Sequence, residues 1–246
     1  MSKRLTDFKV LTFDCYGTLI DWETGIWDAL QPLIMANGRN DIFRQDALRS
    51  FSRHESSLET AKQDLHYRQI LRQVHAAMAT EFDLESSADL DADFSCSVMH
   101  WPAFPDTADA LRFLQTRFKL VILSNIDRES FAASQRKLGV GFDAVFTAQD
   151  IGSYKPSSAN FEYLLGHLRQ DLGLLPAHVL HTAQSLYHDH QPARAFGLAN
   201  AWIDRQRLSQ DGDWGATAPL GNRPACDFVF FSMQELAQAV NEARTT

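Results

Sequence analysis

Four short stretches of the sequence each contain a residue that could take part in bond chemistry. The first, residues 10–22, is an apolar run that ends at the carboxylate of Asp14 and continues through Gly17 and Thr18. A buried strand that ends in an acid and is followed by small residues places that acid in the crevice where open α/β sheets bind ligands. Asp14 is therefore the first candidate for the chemistry, because a carboxylate can attack a substrate and form a covalent ester.

The other three stretches follow further apolar runs. Ser124 and Asn125 can donate hydrogen bonds to an anion, although both residue types are also common helix N-caps. Lys155 is either a solvated loop residue or a cation that faces the carboxylates and keeps a nucleophile ionised. Asp189 is a candidate acid at the end of a fourth strand, or the N-cap of a helix that begins near His190.

The hydrophobic pattern predicts the elements that position these residues. Apolar runs predict strands at 8–13, 119–123, 144–147, 179–182, 199–203 and 228–231, which alternate with helices at 108–117, 128–137, 159–172 and 190–196. Such alternation predicts an α/β fold, a doubly wound parallel sheet with helices on both faces. The four stretches then meet at one edge of the sheet, around Asp14.

Residues 21–100 follow a different pattern. Apolar residues such as Ile26, Leu30 and Leu33 recur with a helical period, and no convincing strand is found. Two prolines, Pro102 and Pro105, then indicate a connector to another layer. We therefore predict a helical cap at 21–100 inserted into a core formed by 1–20 and 101–246, with a long exposed loop at 205–224.

Composition excludes several classes of function. The net charge of −8 arises from 31 acidic and 23 basic residues without a basic cluster, which argues against nucleic acid as a partner. The three cysteines are widely spaced, which predicts a reducing cytoplasm and no disulfides, with Cys15 as a small buried hydrophobe. The first apolar run ends at Asp14 and is too short for a membrane span.

The four stretches, in this order, resemble the motifs of the haloacid dehalogenase superfamily, and the resemblance covers nearly the whole chain. Phosphatases of this superfamily carry two further aspartates, at positions that are Tyr16 and Gln184 here. Without these carboxylates a hard cation lacks oxygen ligands. The resemblance therefore narrows to the type II 2-haloacid dehalogenases, which are metal-free hydrolases with a helical cap, and implies neither a metal nor a cofactor.

The resemblance implies a catalytic role for four residues. Asp14 would displace halide from C2 of a short 2-haloacid and form an ester, which water then splits to give the 2-hydroxyacid. Thr18 would orient Asp14, and Lys155 would balance its charge. Asp189 would hold Lys155 and help place or deprotonate the hydrolytic water. The expected partners are a small 2-haloacid and halide, and the family is compatible with a homodimer.

The resemblance also implies a set of substrate-binding residues. These are Cys15 and Tyr16, through backbone amides nearby, together with Ser124, Asn125, Gln184 and Arg53. Family members use a cap arginine to cradle the leaving halide, and Arg53 is the best match, with Arg49 second. A cation there stabilises charge that develops only in the transition state.

Two positions depart from the better-studied form of the family. Leu186 cannot supply the amide that the family has before its last motif aspartate, so the placing of water would differ or fall to Gln184 and His188. Phe161 lacks the hydroxyl of a tyrosine that is often found six residues after the lysine. Two alternatives therefore stay open: a hydrolase of another small carboxylate or phosphate ester, and a catalytically silent binding protein.

Overall fold

The computed structural model describes residues 3–210, 212 and 223–243. A single sheet of six parallel strands runs in the order β3-β2-β1-β4-β5-β6. The strands are β1 (Val10–Phe13), β2 (Lys119–Ser124), β3 (Ala144–Thr147), β4 (Val179–Ala183), β5 (Ala199–Ile203) and β6 (Phe228–Phe230). Because β2 and β4 flank β1, the residues that follow these three strands lie together at one edge of the sheet.

Helices connect the strands and form a large insertion. They are α1 (Trp22–Ala36), α2 (Arg44–Ala61), α3 (Tyr67–Glu81), α4 (Ala88–Cys96), α5 (Thr107–Leu114), α6 (Arg128–Leu138), α7 (Ala148–Ile151), α8 (Ser158–Leu172), α9 (Gln191–Ala195) and α10 (Met233–Glu242). Helices α1 to α4, here called the cap helices, all lie between β1 and α5. The predicted fold class is confirmed: a doubly wound α/β sheet with an inserted helical cap. The boundaries predicted for the cap, 21 and 100, stay a prediction.

Alternate residues of the central strands face opposite sides of the sheet. Leu11 and Ile122 belong to a large apolar cluster that also includes residues of the cap helices, α5, α6 and α10. Val10 and Val121 belong to a second cluster with residues of α8 and α9. Since both faces are covered, these strands are mostly apolar, which is why they are visible in the sequence.

The elements differ from the predicted ones in a few places. The helix predicted at 190–196 is preceded by a π-helical turn, Leu186–His190, and α9 itself covers only Gln191–Ala195. Helices α7 and α10 were not predicted, although α10 has an N-cap serine and apolar residues at helical spacing. The loop predicted at 205–224 lies mostly outside the described residues. None of the described helices has the length and apolar character to cross a bilayer.

Candidate active site

Asp14, Lys155 and Asp189 form the centre of the candidate site. Asp14 directly follows β1 and is 6% exposed. Lys155 Nζ lies 2.9 Å from Asp14 Oδ1, 2.6 Å from Asp189 Oδ1 and 3.0 Å from the carbonyl oxygen of Leu123. An ammonium group has three N–H donors, and these three acceptors use all of them. Lys155 therefore joins the two carboxylates and is held firmly between them.

A tight turn after β1 brings Thr18 back to Asp14. Gly17 adopts a φ of +91°, a conformation that residues with a side chain rarely adopt. Thr18 Oγ1 donates a hydrogen bond to Asp14 Oδ2 at 2.8 Å and accepts one from the backbone N–H of Gln184 at 2.9 Å. Both carboxylate oxygens of Asp14 thus have a positioned donor, and the loops after β1 and β4 are joined through Thr18.

The charges of this group follow from burial and mutual contact. Burial and the nearby Asp189 raise the pKa of Asp14, while Lys155 and Thr18 oppose that effect. Burial would lower the pKa of Lys155, but the two carboxylates outweigh it and raise that pKa above its usual range. Although burial acts in the opposite direction, Lys155 and His181 hold the pKa of Asp189 well below its usual value. Lys155 and Asp189 are therefore both charged at neutral pH.

A buried chain of hydrogen bonds supports Asp189 from behind. His181 Nε2 lies 3.0 Å from Asp189 Oδ1, and His181 Nδ1 lies 2.9 Å from Thr12 Oγ1. His181 and Thr12 are both fully buried in β4 and β1. The second oxygen of Asp189, Oδ2, is buried and has no hydrogen-bond partner among the described residues. That oxygen is available to a water molecule or to a substrate atom.

The residues that end β2 do two different things. The side chain of Asn125 accepts a hydrogen bond from the Lys155 backbone N–H at 2.7 Å and donates one to the Lys155 carbonyl at 3.0 Å. Its Nδ2 also donates to Glu59 Oε2 at 3.0 Å. Ser124 is 2% exposed, and its hydroxyl has no partner among the described residues. Asn125 therefore fixes the backbone at Lys155, whereas Ser124 keeps a free hydroxyl.

The cap helices close the other side of the cleft. The cleft is lined by Asp14, Tyr16, Trp22, Ser52, Glu55, Glu59, Tyr67, Ser124, Asn125, Lys155, Gln184, Ser185, His188 and Asp189. Glu55 and Glu59 come from α2, and Tyr67 from α3 donates its hydroxyl to Glu55 Oε1 at 2.5 Å. Burial raises the pKa of Glu55 to about 7 and raises that of Glu59 well above its usual value.

A sequence model of the haloacid dehalogenase-like hydrolases matches residues 8–197. The chain belongs to this hydrolase family. The match includes all the motif residues at the centre of the cleft and all four cap helices. None of the curated proteins compared with this hydrolase matches it significantly by sequence.

Solved structures with the same fold include dehalogenases and a magnesium-bound hydrolase. The L-2-haloacid dehalogenase PA0810 is 24% identical, with a TM-score of 0.76 over 96% of this chain and 99% of that one. The L-2-haloacid dehalogenase from Xanthobacter autotrophicus, with chloropropionic acid covalently bound, is 20% identical, with a TM-score of 0.75 over 95% and 98%. The putative HAD-hydrolase YfnB from Bacillus subtilis, bound to magnesium, is 19% identical, with a TM-score of 0.75 over 97% and 100%. At these identities the likeness establishes the shared fold.

The structure does not bring Arg53 to the cleft of this hydrolase. Its side chain is 61% exposed and contacts Glu81 Oε1 at 2.5 Å, on the outside of the cap. Arg49 is also exposed. The reason is helical periodicity, since residues spaced by three or four share a face: Ser52, Glu55 and Glu59 face the cleft, and Arg53 points elsewhere. No arginine of the described chain lines this cleft.

Of the remaining predicted site residues, some line the cleft and others are buried behind it. Cys15 is fully buried and is not among the residues that line the cleft. Tyr16 lines the cleft, but its hydroxyl is 2.8 Å from Ser134 Oγ. Gln184 lines the cleft as well, and its backbone carbonyl accepts a hydrogen bond from Trp202 Nε1 at 3.0 Å. Leu186 packs with Trp202 in a small apolar cluster.

Several residues of the cleft were missed in the sequence, above all Glu55 and Glu59. Their spacing of four residues on α2 predicts that they share one face of that helix, but not that this face lines the cleft.

His188 donates its backbone N–H to Ser185 Oγ at 3.1 Å, and burial lowers the pKa of its ring to about 4, so the ring is neutral. Among the described residues, no group of three or more His, Cys, Asp or Glu side chains is arranged to hold a metal ion.

Proposed function

We propose that this hydrolase converts short 2-haloacids to 2-hydroxyacids without a metal, through an ester on Asp14. The observation that carries the proposal is the single ammonium of Lys155 between Asp14 and Asp189. Its one positive charge contacts both carboxylates and partly offsets the negative charge that could otherwise attract a divalent cation. Tyr16 and Gln184 supply no further carboxylate, so attack on carbon is favoured over metal-assisted attack on phosphorus.

In the first step, an oxygen of Asp14 attacks C2 of the haloacid and a new C–O bond forms. The carbon–halogen bond breaks, and the halide leaves with the electron pair. Lys155 and Thr18 hold the carboxylate in a fixed orientation, which lowers the entropic cost of reaching the attack geometry. The free hydroxyl of Ser124 is the donor we assign to the substrate carboxylate.

In the second step, water attacks the carbonyl carbon of the Asp14 ester. The bond between that carbon and the ester oxygen breaks, so the 2-hydroxyacid leaves with an oxygen that came from Asp14. The unpartnered Oδ2 of Asp189 is the group we assign to hold this water. Overall, one water is consumed, and one halide and one proton are released.

The assay is halide release from chloroacetate and L-2-chloropropionate in the presence of EDTA. We expect release to persist in EDTA and to be abolished by Asp14→Asn. Multiple turnovers in ¹⁸O-labelled water should place the label in Asp14, which a catalytically silent binding protein would not do. No halide from a panel of short haloacids would refute the proposed reaction.

A second candidate reaction is hydrolysis of another small carboxylate or phosphate ester. Two observations favour it: Glu55 and Glu59 line the cleft, and no arginine is found among the described residues that line it. An oxygen leaving group needs a proton, and Glu55, with a pKa raised to about 7 by burial, is suited to donate one. Magnesium-stimulated release of phosphate, or ester cleavage without halide chemistry, would favour this reaction.

A further inference from the structure

Two acids on the cap side of the cleft have no role in the proposed displacement. Glu55 and Glu59 are one helical turn apart on α2, and both line the same cleft as Asp14. One oxygen of each accepts a hydrogen bond, from Tyr67 in one case and from Asn125 in the other. Both donors are neutral, so they satisfy an oxygen without compensating a negative charge.

The cleft as a whole has too few cations for its acids. Four carboxyl groups line it, those of Asp14, Glu55, Glu59 and Asp189, against the single ammonium of Lys155. Lys155 Nζ already uses its three donors on Asp14, Asp189 and a backbone carbonyl. A buried carboxylate without a cation is costly, and a cleft lined by one sign of charge attracts ligands of the other sign.

Three aromatic rings line the same cleft as the two glutamates, those of Tyr16, Trp22 and Tyr67. The rings of Tyr16 and Tyr67 stack with centroids 6.5 Å apart. Aromatic faces attract cations through their quadrupole, and ammonium groups are recognised by aromatic cages in this way. Carboxylates and aromatic rings therefore favour the same ligand group on this side of the cleft.

We propose that Glu55 and Glu59, with these rings, form a subsite for an ammonium group of the substrate. This inference rests on the proposed function, in which Asp14 attacks the carbon next to the substrate carboxylate. Ser124, which is 2% exposed, also lines this cleft, and its unpartnered hydroxyl suits that carboxylate. The substrate class is then a small zwitterion, with its carboxylate at Ser124 and its ammonium at the cap.

A pair of product-like compounds tests the subsite without requiring turnover. In 3-amino-2-hydroxypropionate an ammonium group occupies the position of the terminal methyl in 2-hydroxybutyrate, and the two are otherwise alike. Each is titrated into the full-length protein at pH 8 by calorimetry. We expect the ammonium compound to bind at least about tenfold more tightly, as a charged hydrogen bond would give. Equal binding, tighter binding of the methyl compound, or no binding of either overturns the proposal.

Matched variants assign the preference to the two acids. Glu59→Gln and Glu55→Gln keep the side-chain shape and the acceptor oxygen, and each should reduce the preference to about equal affinity. Glu162→Gln, on the exposed surface of α8, removes the same charge from a residue that does not line the cleft and should leave the preference unchanged. If the double variant Glu55→Gln/Glu59→Gln keeps the full preference, the assignment is wrong.

The two proposals fail in different ways. Preferential binding of the ammonium compound, with no halide released from any haloacid, supports the subsite and refutes the reaction. Halide release from 2-chlorobutyrate, with no preference for the ammonium compound in binding, supports the reaction and refutes the subsite.

Discussion

Lys155 Nζ lies 2.9 Å from Asp14 Oδ1, so the only cation at the centre of the described cleft is in direct contact with the candidate nucleophile. The same ammonium contacts Asp189 at 2.6 Å. This contact predicts that Lys155→Met leaves two buried carboxylates without a cation. The rate of halide release should fall by at least about a hundredfold, and the free energy of unfolding should fall by about 3 kcal/mol. Urea denaturation followed by circular dichroism measures the second quantity, and a variant as stable as the wild type would contradict this account of the site.

His181 is predicted to act on the second step through Asp189. His181→Gln weakens the support of Asp189 Oδ1 and should disturb the water that we assign to Oδ2. Hydrolysis of the ester then slows by about tenfold, in line with the loss of a supporting contact, and the Asp14 ester accumulates. Intact-protein mass spectrometry during turnover detects the adduct. A variant that slows turnover without accumulating the ester would show a merely structural role for His181.

The resemblance to the dehalogenases implied that Arg53 binds the leaving halide, and a substitution tests this role. Because its side chain is 61% exposed and contacts Glu81, Arg53→Ala should change halide release by less than about twofold. Its stability should fall by no more than about 1 kcal/mol, as for other exposed ion pairs. A large loss of kcat at unchanged stability would place Arg53 back in the cleft during turnover.

The contrast between Arg53 and the core motifs shows what the sequence could predict. Asp14, Ser124 and Asp189 lie at or beyond the ends of buried parallel strands, so the fold itself brings them together, and an apolar run comes before each of them. Nothing comparable marks the cleft-facing side of a cap helix. Periodicity groups Ser52, Glu55 and Glu59 on one face, but only the packing of all four cap helices decides whether that face meets the cleft. The role of Asn125 was equally hidden, because two of its hydrogen bonds join it to backbone atoms 30 residues away and a third joins it to Glu59 on the cap.

Glu55 should make the stability of the protein depend on pH. Burial raises its pKa from 4.5 to about 7, so between these values the native state binds more protons than the unfolded state. Stability contributed by the protonated group is therefore present below pH 4.5 and is lost as the pH rises towards 7. Glu55→Gln should match the wild type near pH 4.5 and exceed it by about 3 kcal/mol at pH 8. Urea denaturation at both pH values measures this difference, and a constant difference would contradict it.

The ammonium subsite predicts that ligand binding releases a proton. Burial raises the pKa of Glu59 and raises that of Glu55 to about 7, so Glu55 is largely protonated near pH 6.5. The other charged groups of the cleft, Asp14, Lys155 and Asp189, are already paired. An incoming ammonium favours the ionised carboxylates and lowers their pKa, so a proton leaves as the ligand enters. The heat of binding of 3-amino-2-hydroxypropionate should therefore depend on the ionisation enthalpy of the buffer, whereas that of 2-hydroxybutyrate should not. In the double variant Glu55→Gln/Glu59→Gln the buffer dependence should disappear, because no carboxyl on the cap side is left to ionise.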